Sequence, residues 1–158
     1  MHHTATVEWE RKGAVFIDNR YSRMHTWKFD GGTEVMGSSA PQIVPAPLSD
    51  PRGVDPEEAF IASLASCHML WFLSIAARKG FVVENYTDVA EAESGKNEEG
   101  KIAILQLTLK PVIFFAGTKK PTEEEFRAMH HEAHEKCFIA ASVKTHIKHD
   151  PRMVIQPQ

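Results

Sequence analysis

The sequence is poor in cysteine, with only Cys67 and Cys137 among 158 residues. So few cysteines exclude the disulfide framework that stabilises many small secreted domains. The N-terminal residues also lack the pattern of a secretory signal peptide, so we expect a reducing, cytoplasmic setting. In that setting a pair of cysteines indicates catalysis or metal binding more often than a structural disulfide.

A surplus of charge is also lacking. The formal net charge is −3, from 18 Lys and Arg residues against 21 Asp and Glu residues. This balance provides neither a basic surface for nucleic acid nor an acidic tail. The sequence contains no internal repeat, and its hydrophobic content of 42% is typical of a globular protein. We therefore expect one globular domain over residues 1–158 and no nucleic-acid partner.

The longest apolar stretch lies between Asp55 and Gly80, and it begins and ends with helix signals. Asp55 is a good N-cap, a proline and two glutamates follow it, and Gly80 comes after two basic residues. A helix that is apolar on nearly every face is buried or spans a membrane. Because polar residues interrupt this stretch, we predict a buried core helix and no membrane association: Ser63, Ser66, Cys67, His68 and Ser74.

Five segments are predicted in chain order: an N-terminal meander (1–36), a proline-rich loop (37–54), the central helix (55–80), a region with a hairpin, a second helix and a last strand (81–149), and a polar tail (150–158). The second helix begins with a capping box at Thr122 and Glu125. Strands before and after the helices predict an α+β fold with antiparallel sheets.

The strand predictions rest on alternation and turn residues. In the N-terminal meander the predicted strands are 4–10, 14–17, 21–29 and 33–36. After the central helix, two long strands are predicted at 81–94 and 101–115, joined by a polar hairpin, and a last strand at 143–147.

The length of the central helix predicts a homodimer. A helix of about 24 residues is about 36 Å long, and a chain of this size has difficulty surrounding it. A symmetric pair of chains that buries two such helices together would solve this problem.

Cys67 lies in the middle of the central helix, and two interpretations are open. In one, Cys67 and Cys137 are unrelated buried residues that act as small hydrophobes. In the other, Cys67 is a protected nucleophile. Because apolar surroundings oppose the ionisation of a thiol, this role requires a nearby cation.

Three apolar residues share the Cys67 face of the helix: Phe60, Leu64 and Trp71. Such residues are often simply core, but here they could also wall an apolar ligand pocket. Glu57 lies ten residues before Cys67, about 15 Å along a straight helix, so it cannot touch the thiol. The helix dipole favours a carboxylate at this first-turn position, and a functional Glu57 would have to orient an arginine.

The second helix is rich in histidine. His130 and His134 have the i, i+4 spacing of metal ligands, with His131 and Cys137 nearby, but the His-Glu-x-x-His order of a zinc protease is absent. We therefore predict a partly solvated helix face and no metal site. His68 is interpreted as a core histidine. Four further histidines are predicted to lie on the surface: His2, His3, His146 and His149.

Two motifs in this sequence resemble those of the OsmC/Ohr family. The first is Asp-Pro-Glu-Glu-Ala-Phe followed by Ala-Ser-Leu-Ala-Ser-Cys-His-Met-Leu, and the second is Ala-His-Glu-Lys-Cys-Phe-Ile-Ala-Ala-Ser. The resemblance implies an intertwined homodimer in which Cys67 attacks the peroxide and Cys137 resolves the sulfenic acid. It also implies that Glu57 and an early arginine complete the site. Arg23 is the preferred candidate, with Arg20 as the alternative.

The same resemblance implies the chemistry. The expected activity is thiol-dependent reduction of organic hydroperoxides, and of hydrogen peroxide as a further substrate, in oxidative-stress defence. No metal or organic cofactor is expected, but an external dithiol of the lipoyl type is needed as reductant. Many relatives have proline after the second cysteine, where this chain has Phe138. The alternative function is a non-catalytic dimer of the same fold that binds a small molecule or a metal.

Overall fold

The computed structural model describes residues 1–155, which contain nine strands and three helices. The chain divides into two compact units, one over residues 1–60 and the other from residue 61 onwards.

The first unit is built on a three-stranded antiparallel sheet in the order β1 (Ala5–Glu8), β2 (His25–Phe29) and β3 (Glu34–Gly37). The predicted meander is present, but the predicted strand at 14–17 is wrong. The backbone of Phe16 has a φ of +76°, and neighbouring turn residues also have positive φ. Extended strands require negative φ, so this segment forms a folded connection between β1 and β2.

Residues 38–53 of the predicted proline-rich loop form no helix or strand, whereas Gly37, its first residue, ends β3. Backbone hydrogen bonds tie its two ends together, from Ser38 N to Val54 O at 3.1 Å and from Val54 N to Met36 O at 2.9 Å. The fully buried hydroxyl of Ser38 also accepts a hydrogen bond from Asp50 N at 3.0 Å. These bonds hold the loop against β3.

The central helix is α1 (Pro56–Arg78), close to the predicted bounds. Asp55 and Glu58 form a reciprocal capping box, with Glu58 N donating to Asp55 Oδ1 at 2.7 Å. Gly80, at a φ of +77°, follows its C-terminal end. α1 is long and apolar enough to span a membrane, but the core helix of a soluble protein can have the same length and composition. Only 28% of its apolar stretch is buried within the chain.

The second unit contains two three-stranded mixed sheets. One has the order β4 (Val82–Asp88), β7 (Pro111–Ala116) and β9 (Arg152–Ile155), and the other has β5 (Glu91–Lys96), β6 (Ile102–Leu109) and β8 (His146–His149). The β4–β7 and β5–β6 pairs are antiparallel, whereas β8 and β9 pair in parallel with β6 and β7. The α+β fold with antiparallel pairs and a long helix is therefore confirmed, with parallel strands added at the edges.

Each of the two long predicted strands is broken in the middle. Lys110 separates β6 from β7, and Asp88 precedes the break between β4 and β5. The Asp88 carboxylate accepts a hydrogen bond from Lys110 N at 2.7 Å, so a side chain replaces a ladder partner at this point. Pro111, which has no N–H, begins β7. Alternation alone does not reveal such a break.

The remaining elements are α2 (Glu123–Lys136) and the short α3 (Phe138–Ala141). The predicted capping box is present, with Glu125 N donating to Thr122 Oγ1 at 3.1 Å and Thr122 N to Glu125 Oε2 at 2.8 Å. The prediction of a polar tail at 150–158 is wrong for residues 152–155, which form β9 (Arg152–Ile155). The rest of that prediction, at 156–158, lies outside the described residues. The core joins one face of α1 to α2, β4 and β7, with buried Phe72, Ile75, Phe115, Phe126 and Met129.

Candidate active site

The two cysteines come together in the second unit. Cys67 is half-buried in the middle of α1, and Cys137 is fully buried between α2 and α3. Their side chains lie within hydrogen-bonding reach of each other, and both are free thiols. The fold thus brings together two residues that are far apart in the sequence, as a redox pair would require.

The environment of Cys137 keeps its thiol protonated. Burial raises the pKa of the Cys137 thiol to about 11, and the hydrogen bond with Cys67 acts in the same direction. Ala140 N donates to Cys137 Sγ at 3.4 Å, which only partly offsets these effects. A thiol that is buried and protonated at neutral pH is a poor first nucleophile, because the thiolate is the reactive form. The more accessible Cys67 is therefore the better candidate for the attacking residue.

The predicted apolar wall is only partly exposed to a ligand. Leu64 is 1% exposed and belongs to the core, whereas Trp71 is half-buried. The Phe138 ring lies edge-on to Trp71, with 6.2 Å between ring centroids, and Phe138 is 56% exposed. Phe138 was missed as a wall residue, although its position directly after Cys137 was a usable signal. Phe60, the third predicted residue, is half-buried in the first unit.

A cluster of histidines lies beside the thiol helices. His68 and His130 are both buried, and His68 Nε2 lies 2.9 Å from His130 Nδ1. His149 on β8 is half-buried rather than exposed as predicted, and its ring lies 4.9 Å from those of His68 and His134. Burial lowers the pKa of His68 and His130 to about 3 and that of His149 to about 4. These three imidazoles are therefore neutral at neutral pH.

The histidine cluster does not form a metal site in this conformation. Within residues 1–155, no group of three or more His, Cys, Asp and Glu side chains is placed to hold a metal ion. The histidines instead border a polar cavity of about 400 Å³ next to α2, which is lined by Glu123, Arg127, His130, His131, His134, His149, Asp150 and Pro151.

The first unit contains the other two predicted site residues. Arg23 and Glu57 both line an open cavity of about 650 Å³, whose remaining walls are mainly apolar and aromatic, including Trp9, Phe16 and Tyr21. The Phe16 and Tyr21 rings stack at 4.7 Å between centroids. Phe16 adopts its positive φ here, and backbone strain of this kind is common at functional sites.

Arg23 and Glu57 share this cavity but do not form an ion pair with each other in the described part of the chain. The Arg23 guanidinium donates to Asn19 O at 3.1 Å and Asn19 Oδ1 at 3.0 Å, and its central carbon lies 3.8 Å from the centre of the Tyr21 ring. Glu57 Oε2 is buried and has no hydrogen-bond partner among residues 1–155. Its action on Arg23 stays a prediction.

The two candidate arginines have different environments. Arg20 is exposed, and it does not line the cavity that contains Arg23 and Glu57. Arg23 is half-buried and lines it. This difference favours Arg23, and an effect of this arginine on the thiols stays a prediction.

A family comparison matches the region that carries these features. The model of a family described as OsmC-like protein covers residues 49–152, which include both cysteines. The chain belongs to the OsmC family. The resemblance seen in the two cysteine motifs is thereby confirmed. No protein of the curated set matches this chain.

Solved structures of OsmC-family proteins resemble the whole chain. An OsmC-like protein of unknown function from Vibrio cholerae O1 biovar eltor is 50% identical, with 98% of this chain and 99% of that chain covered and a TM-score of 0.93. An organic hydroperoxide resistance protein from Elizabethkingia anophelis is 16% identical, with 99% of this chain and 97% of that chain covered and a TM-score of 0.66. The organic hydroperoxide resistance protein OhrB of Bacillus subtilis is 15% identical, with 98% of each chain covered and a TM-score of 0.62. At these low identities the last two show the shared fold alone.

Proposed function

We propose that this OsmC-family protein reduces organic hydroperoxides, with Cys67 as the attacking thiol and Cys137 as the resolving thiol. The observation that carries the proposal is the pair of free thiols within hydrogen-bonding reach, one half-buried and the other buried and protonated. The names of the structurally similar proteins from Elizabethkingia anophelis and Bacillus subtilis, which refer to organic hydroperoxide resistance, support the substrate class.

The proposed cycle balances without a metal or organic cofactor. The Cys67 thiolate attacks the terminal peroxide oxygen, the O–O bond breaks, and the alkoxide takes up a proton and leaves as an alcohol. Cys67 is then a sulfenic acid. The Cys137 sulfur displaces its hydroxyl group, which leaves as water with the Cys137 proton, and a disulfide forms. An external dithiol, proposed to be of the lipoyl type, then reduces the disulfide by thiol–disulfide exchange and returns both residues to thiols.

Arg23 and Glu57 are proposed to complete the site. A guanidinium beside Cys67 would stabilise the thiolate and polarise the peroxide, and a carboxylate would hold the guanidinium in place. The buried, unpaired Glu57 Oε2 supports this proposal, because a buried carboxylate oxygen without a partner is unfavourable and an arginine is a suitable partner. Arg23 lines the same cavity as Glu57.

A homodimer is proposed as the working form. Leu70 on α1 is 63% exposed and Phe138 is 56% exposed, and little of the apolar stretch of α1 is covered by its own chain. Exposed apolar side chains on a long apolar helix mark an interaction site, so we propose that a second copy of the chain covers this face of α1. We place the protein in the cytoplasm, in oxidative-stress defence, because a reducing compartment keeps such thiols active.

The test is the consumption of cumene hydroperoxide by the purified, reduced protein with dihydrolipoamide or dithiothreitol as reductant. We expect steady turnover by the wild type and none by Cys67→Ser. A Ser66→Ala variant, which changes the exposed neighbour of Cys67, should retain activity and serves as the matched control. A Cys67→Ser variant as active as the wild type would overturn the proposal. Unreactive thiols in a folded wild type would instead favour a non-catalytic binding protein.

A further inference from the structure

A buried pair of histidines links α1, which carries Cys67, to α2, whose C-terminus is capped by Cys137. His68 Nε2 and His130 Nδ1 lie 2.9 Å apart, and the residues are only 1% and 3% exposed. The two imidazole rings are nearly parallel, with an angle of 6° between their planes and 5.2 Å between their centroids. One ring nitrogen must donate its proton to the bare nitrogen of the other, which requires at least one neutral ring. The link is thus a directional hydrogen bond inside an apolar core.

Each histidine is closely connected to one cysteine. His68 directly follows Cys67 on α1, so the backbones of the two residues move together. His130 precedes the C-cap residue Cys137 by seven residues, and the last six residues of α2 between them span about 9 Å of helix. Because a helix is stiff over this distance, a shift of His130 relative to His68 also shifts Cys137 relative to Cys67.

The histidine pair is itself held tightly. Phe72 stacks on His130 at 4.3 Å between ring centroids, and Phe126 meets the same ring edge-on at 4.7 Å. His149, which follows Cys137 in the chain, places its ring 4.9 Å from that of His68. The segment that carries Cys137 is therefore anchored on both sides to the imidazole cluster.

Core stability does not by itself explain this cluster. Among residues 1–155, His130 Nε2 and His149 Nε2 are buried without a hydrogen-bond partner, which is unfavourable. Apolar side chains of similar volume would avoid this cost. A hydrogen bond, however, fixes the distance and orientation of the groups it joins, whereas apolar contacts allow sliding.

We propose that His68 and His130 are positioning residues that set the separation of the Cys67 and Cys137 sulfur atoms for disulfide formation. This inference rests on the proposed function, in which the hydroperoxide is the oxidant and water leaves as the disulfide forms. Disulfides require Cβ atoms about 3.5–4.5 Å apart, so small displacements of α1 against α2 matter. A misplaced Cys137 would leave the sulfenic acid open to a second hydroperoxide, which oxidises it to a sulfinic acid.

The test compares variants that keep or remove the hydrogen bond. Asparagine places a polar atom near the position of a histidine Nδ1, so His130→Asn should preserve the link, whereas His130→Leu removes it. The measurement is the equilibrium of the Cys67–Cys137 disulfide with dithiothreitol. We expect His130→Leu to lower the equilibrium constant for disulfide formation by about tenfold, or about 30 mV, and His130→Asn to stay within about twofold of wild type.

A change elsewhere in the core is the matched control. Ile113→Val removes one buried methyl group from β7 without touching the histidine pair, so it should lower stability and leave the redox equilibrium unchanged. A folded His130→Leu protein with the wild-type equilibrium constant would overturn the proposal. If His130→Leu does not fold, His130→Gln, whose amide lies one carbon further out, replaces it. We again expect an equilibrium constant about tenfold below wild type, and an unchanged constant would again overturn the proposal.

This experiment separates the inference from the proposed function, because the redox titration uses no peroxide. A wild type that forms the disulfide but does not consume hydroperoxide would overturn the proposed function and leave the positioning role in place. A second readout supports the assignment: after repeated hydroperoxide treatment, mass mapping should find more Cys67 sulfinic acid in His130→Leu than in Ile113→Val. Equal amounts in both would count against the positioning role.

Discussion

Phe138 and Trp71 form an edge-to-face aromatic pair, with 6.2 Å between ring centroids and an interplanar angle of 66°. Trp71 lies one helical turn after Cys67, and Phe138 directly follows Cys137. The pair therefore flanks both thiols, and the exposed part of Phe138 offers apolar surface for the organic part of the proposed hydroperoxide substrate.

Truncation of this aromatic surface should change substrate preference. For Phe138→Ala we expect the KM for cumene hydroperoxide to rise about three- to tenfold, in keeping with the loss of one aromatic contact, and the KM for hydrogen peroxide to change little. Steady-state kinetics with both substrates provide the measurement. Ile102→Ala, a change at a 73% exposed residue of β6, is the control. An equal rise for both peroxides would contradict a role in recognising the organic group.

Loss of Cys137, the proposed resolving thiol, should trap the proposed sulfenic acid intermediate. In Cys137→Ser we expect one equivalent of hydroperoxide to be consumed per active site, with no disulfide and a lasting Cys67 sulfenic acid. Trapping with dimedone followed by mass mapping would detect it. Multiple turnovers at the wild-type rate would show that Cys137 does not resolve the intermediate.

The two thiols should differ in their reaction with iodoacetamide. Because burial and the contact with Cys67 raise the pKa of Cys137 to about 11, less than about 1% of this thiol is ionised at pH 8. We expect Cys67 to be alkylated at least tenfold faster than Cys137 at pH 8 in the native protein. Peptide mapping over time measures both rates. Faster labelling of Cys137 would reverse the proposed roles.

Acid should destabilise the folded protein through its buried imidazoles. Burial lowers the pKa values of His68, His130 and His149 below their ordinary value of 6.5, to about 3, 3 and 4. The unfolded state therefore binds more protons, so their contribution to stability is complete above about pH 6.5 and falls as the pH decreases towards 3. Each group contributes a slope of at most about 1.4 kcal/mol per pH unit.

Urea unfolding between pH 7 and pH 4 provides the measurement. A His68→Gln/His130→Asn double variant lacks two of these groups, so its free energy of unfolding should depend less steeply on pH than that of the wild type. Carboxylates such as Asp50, whose pKa Arg52 lowers to about 2, contribute equally to both proteins. Identical slopes would show that the two imidazoles are not the source of acid sensitivity.

A charge on the exposed face of α1 should dissociate the proposed dimer. Leu70→Glu removes an apolar contact worth about 1.5–3 kcal/mol per chain and places a charge in its position. We expect sedimentation to show a monomer for this variant and a dimer for Ile102→Glu, an equally drastic change at an exposed residue of β6. A Leu70→Glu protein that remains dimeric would remove this face from the interface.

The parts of the fold that depend on local signals could be predicted from the sequence. The ends of α1 and α2 depend on capping side chains such as Asp55 and Thr122, which act within one helical turn. The parallel pairing of β8 with β6 and of β9 with β7 could not be predicted, because each pair joins segments that are distant in the sequence. The same limit explains why His149 was expected on the surface.

The candidate site shows the same division. From the residues alone, the two cysteines could be either inert or reactive. Only the resemblance to a family predicted that Cys67 and Cys137 act as a pair. The hydrogen bond between His68 and His130 had no local signal, because the two residues are 62 positions apart.

The core partners of Phe72 and Ile75 on α1 come later in the chain, which matters during synthesis. Its buried face packs on elements between β4 and β9, the last of which ends at Ile155. At ordinary translation rates, the ribosome needs on the order of ten seconds after Arg78 to deliver them. During that interval the nascent chain presents an uncovered apolar helix, so chaperone capture and aggregation compete with folding until the last strand has been made.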